Sequence, residues 1–231
     1  MNETESPTPQ QAGAAAFPIT LWSIIIVIVL GFLVAWNYLI RFQNEQANPR
    51  LAYRERIEKS IELTEAVSGE TVQVSDLQGK VLVVSNIYPY CPTGCGTVVA
   101  QLLELYSEFG ENPNVHFVSF QVDPIRYTPD EFKDWVEMQE AAKPNWWFLT
   151  GSAEELYDYL FKYFRYSRPV RNEEDENDIA HDLSIRLVDH AGNLRGDGYS
   201  IHIDGLKDDP YARLRRDLNS LVVEAVDAKR G

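Results

Sequence analysis

The sequence predicts an α/β domain, a mixed sheet flanked by helices, preceded by one N-terminal transmembrane helix. Three observations predict it. No charged side chain occurs from Ser6 to Ile40. Beyond about residue 61, short β-branched runs alternate with amphipathic stretches, the pattern of a sheet covered by helices. Capping and turn residues separate those runs at close intervals.

Residues 1–18, rich in Pro, Gln, Ala, Glu and Thr, read as a disordered tail. Ile19–Ile40 reads ITLWSIIIVIVLGFLVAWNYLI, about 33 Å of helix against roughly 30 Å of hydrocarbon. Trp22 near one end, with Trp36 and Tyr38 near the other, suit interfacial anchors. Glu3 and Glu5 stand where a cleavable signal would carry basic residues. Residues 41–60 form a polar juxtamembrane linker, and the globular domain occupies residues 61–231.

Within the domain, Val81–Ile87 (VLVVSNI) is a buried strand. A loop, YPYCPTGCG, leads into a helix over Thr97–Glu108, with Val98, Leu102, Leu105 and Phe109 on one stripe. Val115–Val122 is a second strand. Thr128-Pro129-Asp130-Glu131 is a capping box that opens a helix to about Ala142. Trp146–Leu149 is a third strand, and Ser152-Ala153-Glu154-Glu155 caps a helix to about Phe164. Arg171–Asp178 (RNEEDEND) reads as a solvated, charge-rich loop. Leu183–Val188 and Leu194–Tyr199 flank the turn Asp189-His190-Ala191-Gly192 and make a hairpin. Asp209-Pro210 opens the last helix.

Composition narrows the function. The 231 residues carry 35 Asp and Glu against 21 Lys and Arg, a net charge of −14. That argues against nucleic acid, whose binding rewards clustered cations. A total of two cysteines excludes a multi-disulfide scaffold and a four-cysteine zinc site. Those two, Cys91 and Cys95, are four apart, between a buried strand and a helix start. One helical turn brings both sulfurs to one side, and a helix N-terminus favours the thiolate. The pair is either a structural bridge or a functional dithiol. A soft-metal site needs a third ligand from His116, His181, His190 or His202. His116 lies inside a strand, His190 in a turn and His202 in a polar stretch. His181 precedes an apolar strand, where it reaches the carboxyl edge at which α/β sites gather.

Taken together, these segments resemble a known family. Gly79-Lys80-Val81 through Tyr88-Pro89-Tyr90-Cys91-Pro92-Thr93-Gly94-Cys95 resembles the CPxxC segment of the Sco/SenC family. Val122–Pro129 resembles its VDPxRDTP stretch, and Trp147–Ser152 is similar to its W-x-F-L-T-G-S segment. His181, eleven residues before Gly192, matches its histidine. The four motifs occur in the family's order over roughly residues 70–200. The resemblance implies a membrane-anchored, thioredoxin-like protein that assists assembly of the cytochrome c oxidase copper centre. It implies copper, Cu(I) or Cu(II), held by Cys91, Cys95 and His181, and as partner the copper-accepting oxidase subunit or another copper chaperone. Thiolates select Cu(I), and imidazole suits both states. The sequence departs from the family at Ala180, where Asp is usual and Asp182 follows instead, at Gly96 in place of Pro, and at Tyr127 in place of Asp. Asp123-Pro124 reads as a strand-terminating turn.

The competing function is thiol–disulfide exchange through the redox pair Cys91 and Cys95, which would keep partner cysteines reduced. Copper binding needs His181 and exchange does not. The three-residue spacer, against the two of ordinary thioredoxin-like reductases, favours copper. Arg41, Arg50, Arg54, Arg56 and Lys59 follow the span and none precedes it, which predicts a cytoplasmic domain. Copper delivery to an oxidase requires the opposite, extracytoplasmic (periplasmic) side, and the expectation follows the chemistry.

Overall fold

A computed structural model describes residues 19–46, 51–89, 95–172, 174–175, 179–201 and 209–230. The chain divides into two units, one ending at Asn48 and the other running from Pro49 to Gly231. The first holds helix α1, Ile19–Gln46. Its described side chains, Trp22 and residues 24–36, are all exposed, with Phe32 stacked on Trp36 one turn later at 5.9 Å. Among the described residues no helix is long and apolar enough to cross a membrane.

The second unit is built on a sheet of eight strands in the order β1-β10-β9-β4-β5-β6-β2-β3. The strands are β1 Tyr53–Arg56, β2 Leu63–Glu65, β3 Thr71–Val72, β4 Val81–Ile87, β5 Val115–Gln121, β6 Trp146–Thr150, β9 Ile185–Val188 and β10 Asn193–Tyr199. β4, β5 and β6 run parallel, linked by α2 Cys95–Phe109 and α3 Pro129–Met138. Helices α4, Ala153–Phe164, and α5, Pro210–Ala228, follow β6 and β10. β7 Val170–Arg171 and β8 Ile179–Ala180 make a separate two-stranded sheet.

The pleat decides which helix each strand residue meets. Val81, Val83 and Ile87 of β4 join α2, α3 and α5 in one core layer, which includes Leu102, Phe132, Val136 and Leu218. Leu82 and Val84 face the other way, onto Leu156, Leu160 and Phe164 of α4. All seven residues of β4 are buried, as are all seven of β5. That is why β4 reads as a near-continuous apolar run, whereas β5, which alternates in sequence, buries its polar His116, Ser119 and Gln121 as well. Each such aliphatic side chain contributes about 1.5–3 kcal/mol by leaving water.

Five local readings change. Part of the segment read as linker, Tyr53–Arg56, pairs with β10 as an edge strand. Polar contacts hold it: the Arg195 guanidinium lies 4.7 Å from the centre of the Tyr53 ring, and Arg54 pairs with Asp197 at 2.8 Å. Hydrophobic periodicity has no access to such contacts. The two capping boxes also diverge. Thr128 accepts from the Glu131 amide and the box closes, whereas Ser152 makes no side-chain cap bond. α3 stops at Met138, short of Ala142, and Glu140 takes a left-handed φ of 53°. The hairpin strand begins at Ile185 rather than Leu183. Finally, Arg171, the first residue of the supposed solvated loop, belongs to β7 and opposes Ile179 of β8.

Candidate metal centre

β4 ends at Ile87, and the chain turns out of the sheet through Tyr88 and Pro89. Cys91 lies outside the described residues. Cys95 is the first residue of α2, so the helix starts two residues before the Thr97 read from sequence; the Cys95 side chain also falls outside the description. Among the described residues no three His, Cys, Asp or Glu side chains form a metal-holding group. The fit of the site therefore rests on the third predicted ligand and its surroundings.

His181 follows β8 directly and is half-buried. Its Nδ1 lies 2.7 Å from the Ile179 carbonyl oxygen. A carbonyl only accepts, so Nδ1 carries the proton, and in the neutral ring Nε2 bears the metal-binding lone pair. The His181 ring meets Tyr88 edge-on, with centroids 6.0 Å apart and planes at 81°. Tyr88 is three residues before Cys91. The fold thus carries His181, ninety residues later in sequence, to the place where the cysteine loop begins.

Asp182, standing one place after the histidine, does not orient it. Its carboxylate accepts from the Ser184 amide at 2.8 Å and from Arg186 Nη2 at 2.7 Å. The ring-orienting task falls to the Ile179 carbonyl instead, one of the usual partners of a metal-ligating imidazole. With Ala180 in place of Asp, His181 Nδ1 still has a partner.

Around Tyr88 lies a polar cluster that sequence reading missed. Tyr88 is fully buried, and its hydroxyl accepts from Arg126 Nη2 at 2.5 Å. Burial, with Tyr127 beside it, pushes that hydroxyl up to about 12, so it stays protonated. Asp123 is fully buried too. It accepts from Arg126 Nε at 2.6 Å and from Arg171 Nη2 at 3.1 and 3.2 Å. The turn read at Asp123-Pro124 does form, with the Tyr127 amide donating to the Asp123 carbonyl at 3.3 Å. Its side chain adds a second role that only the Asp-x-x-Arg spacing hinted at.

The two other described histidines stay apart from this cluster. His116 is buried in β5, edge-on to Trp147 at 4.9 Å, and burial, aided by Lys80, pulls its imidazole down to about 4. His190, on the β9–β10 turn, is half-buried rather than solvated. It lines a cleft of about 210 Å³ with Leu77, Lys80 and Val188, at the opposite end of the sheet. His202 lies outside the described residues.

A model of the SCO1/SenC family matches residues 50–200. The chain is 29% identical over 154 residues to the SCO1 protein homolog of Bacillus subtilis (strain 168), spanning 66% of this chain and 76% of that one. Among solved structures it resembles BsSco, described as a member of the Sco family of cytochrome c oxidase assembly proteins with a disulfide switch. There the TM-score is 0.59 at 25% identity, over 74% of this chain and 95% of that one. It also resembles ScoI of Bradyrhizobium japonicum with copper bound, with a TM-score of 0.57 at 23% identity over 73% and 99% of the two chains. The shared architecture is thioredoxin-like. With the family's model matched from the start of the folded unit to the end of β10, this chain belongs to the SCO1/SenC family.

Proposed function

We propose that the chain is a membrane-anchored copper chaperone. It takes copper on Cys91, Cys95 and His181 and passes it to the copper-accepting subunit of cytochrome c oxidase or to another copper chaperone. The observation that supports this reading is the edge contact between His181 and Tyr88, an imidazole with its Nδ1 on a carbonyl packed on the residue three before Cys91. Two thiolates retain Cu(I), and the imidazole extends the set to Cu(II). Three protein ligands leave a coordination position at which an acceptor's ligand can enter. Both cysteines must be reduced and deprotonated to load the ion. Copper bound to the related ScoI supports the cargo. Metal analysis of the reduced full chain in detergent tests the reading. Wild type should hold one copper, and His181→Ala should retain it about 10- to 100-fold less tightly. Equal retention and an unchanged spectrum in the variant would reject His181 as a ligand.

Residues 19–40 serve as the anchor: the run carries no charge, and its described apolar side chains between Trp22 and Trp36 are exposed and need a hydrocarbon partner. The domain lies on the extracytoplasmic side. Of the cations that argue otherwise, Arg54 and Arg56 belong to folded strand β1, and Arg54 is paired with Asp197. Charges inside a folded domain weigh less in the positive-inside rule than those of a short loop. Membrane-impermeant thiol reagent should label Cys91 or Cys95 in intact, reduced cells; protection until lysis would reverse the topology.

A second reading keeps its place because Cys95 opens α2, where the helix dipole favours a thiolate. Exchange between this pair and a partner's disulfide uses the same sulfurs without His181, and the disulfide switch described for BsSco is a related chemistry.

A further inference from the structure

We propose that Asp123 is the positioning residue of the metal-site histidine, holding His181 through two arginines that reach it by separate routes. This inference rests on the reading of His181 as a copper ligand. Asp123 emerges at the carboxyl end of β5 with its side chain 1% exposed. A carboxylate so buried persists only when paired. It is paired twice, by cations from different elements: Arg126 from its own turn and Arg171 from β7.

Each arginine leads to a different part of the imidazole. Arg126 spends its Nε on Asp123 and its Nη2 on the Tyr88 hydroxyl. Its guanidinium carbon lies 5.9 Å from the centre of the Tyr88 ring. Tyr88 in turn presents that ring to His181. This route fixes where the imidazole sits. Arg171 is the β7 residue directly opposite Ile179, and the Ile179 carbonyl receives His181 Nδ1–H. Anchoring Arg171 to Asp123 therefore pins the short hairpin that carries both the carbonyl and the histidine. This second route fixes which nitrogen faces the ion and in what direction. The neighbouring carboxylate, Asp182, takes no part, being engaged by Ser184 and Arg186. These two supports of His181 thus trace to one buried carboxylate.

A staple for the fold alone would also contain these contacts, so the test reads the metal. Reduced full chain in detergent is loaded with one equivalent of copper. Two quantities are followed: retention against a chelator, and the nitrogen hyperfine signature of the Cu(II) form that His181→Ala identifies as the histidine's. Asp123→Asn should weaken retention ~10- to 100-fold, the range for residues that orient a ligand, and should alter that signature. Arg171→Ala, which leaves Arg126 on Asp123, should weaken it severalfold in a chain that still melts cooperatively. Arg171→Lys, which keeps a cation on Asp123, should recover most of the loss. If Asp123→Asn does not fold, the Arg171 pair decides alone. Wild-type retention and signature in Arg171→Ala, or equal loss in Arg171→Ala and Arg171→Lys, overturns the proposal while leaving the ligand reading intact. If instead His181→Ala itself leaves the signature unchanged, the ligand reading fails, and with it any positioning role for Asp123.

Discussion

The two ends of the central strands treat buried polar groups in opposite ways. At the carboxyl ends of β4 and β5, Tyr88 and Asp123 are fully buried, and each has a close cationic partner. Toward the amino ends, His116 is as deeply placed, and among the described residues neither of its ring nitrogens has a hydrogen-bond partner. The first end is organised around charge. The second tolerates an imidazole by keeping it neutral, packed on Trp147 like any aromatic ring. Two histidines of one chain therefore differ in kind. His181 has one nitrogen assigned to a carbonyl; His116 has only a volume.

Three changes break or sharpen that contrast. The largest effect is expected at the cysteines. Cys91→Ser or Cys95→Ser should abolish stoichiometric copper binding by the reduced chain, while His116→Phe should leave it untouched. Next comes pH. The unfolded His116 imidazole titrates near 6.5 and the folded one at about 4. Its contribution is therefore neutral above pH 6.5, and stability falls as pH drops, because the unfolded chain gains a proton that the fold refuses. At pH 5 that loss is about 2 kcal/mol. Urea unfolding of the unit from Pro49 onward, at pH 7 and pH 5, should show His116→Phe flattening this acid slope; an equal slope in the variant would assign it to other groups. The smallest effect belongs to Tyr166, whose hydroxyl lies 3.0 Å from the Val84 carbonyl and 2.9 Å from that of Ser184. Tyr166→Phe leaves a buried carbonyl unmatched and should cost about 1–2 kcal/mol in the same unfolding experiment, without affecting copper retention.

Much of the framework was legible because burial on both faces writes itself into composition. Val81–Ile87 and Val115–Gln121 appear in the structure almost as the sequence pattern bounds them. What escaped is polar or distant. β1, with sequence YRER, is held by Arg195 and Asp197, more than a hundred residues away. β7 and β8 have two residues each, too few for any periodicity. At the candidate site, His181 could be singled out by its place before an apolar strand. Its supports could not, because Arg171 meets Asp123 across 48 residues of sequence. Even matched local signals diverge: Thr128 and Ser152 open the same capping pattern, and only the threonine side chain accepts a bond.

The hairpin of β7 and β8 stands outside the eight-stranded sheet, joined to itself by a ladder two residues long. Ladders so short open at far lower cost than the strands of a central sheet. The imidazole is thus mounted on a tab, and the sheet end that launches the cysteine loop on a wall. What keeps the tab in place is then not its own ladder but the bridge from Arg171 to Asp123, so the least secured strand pair in the molecule borrows its firmness from the wall.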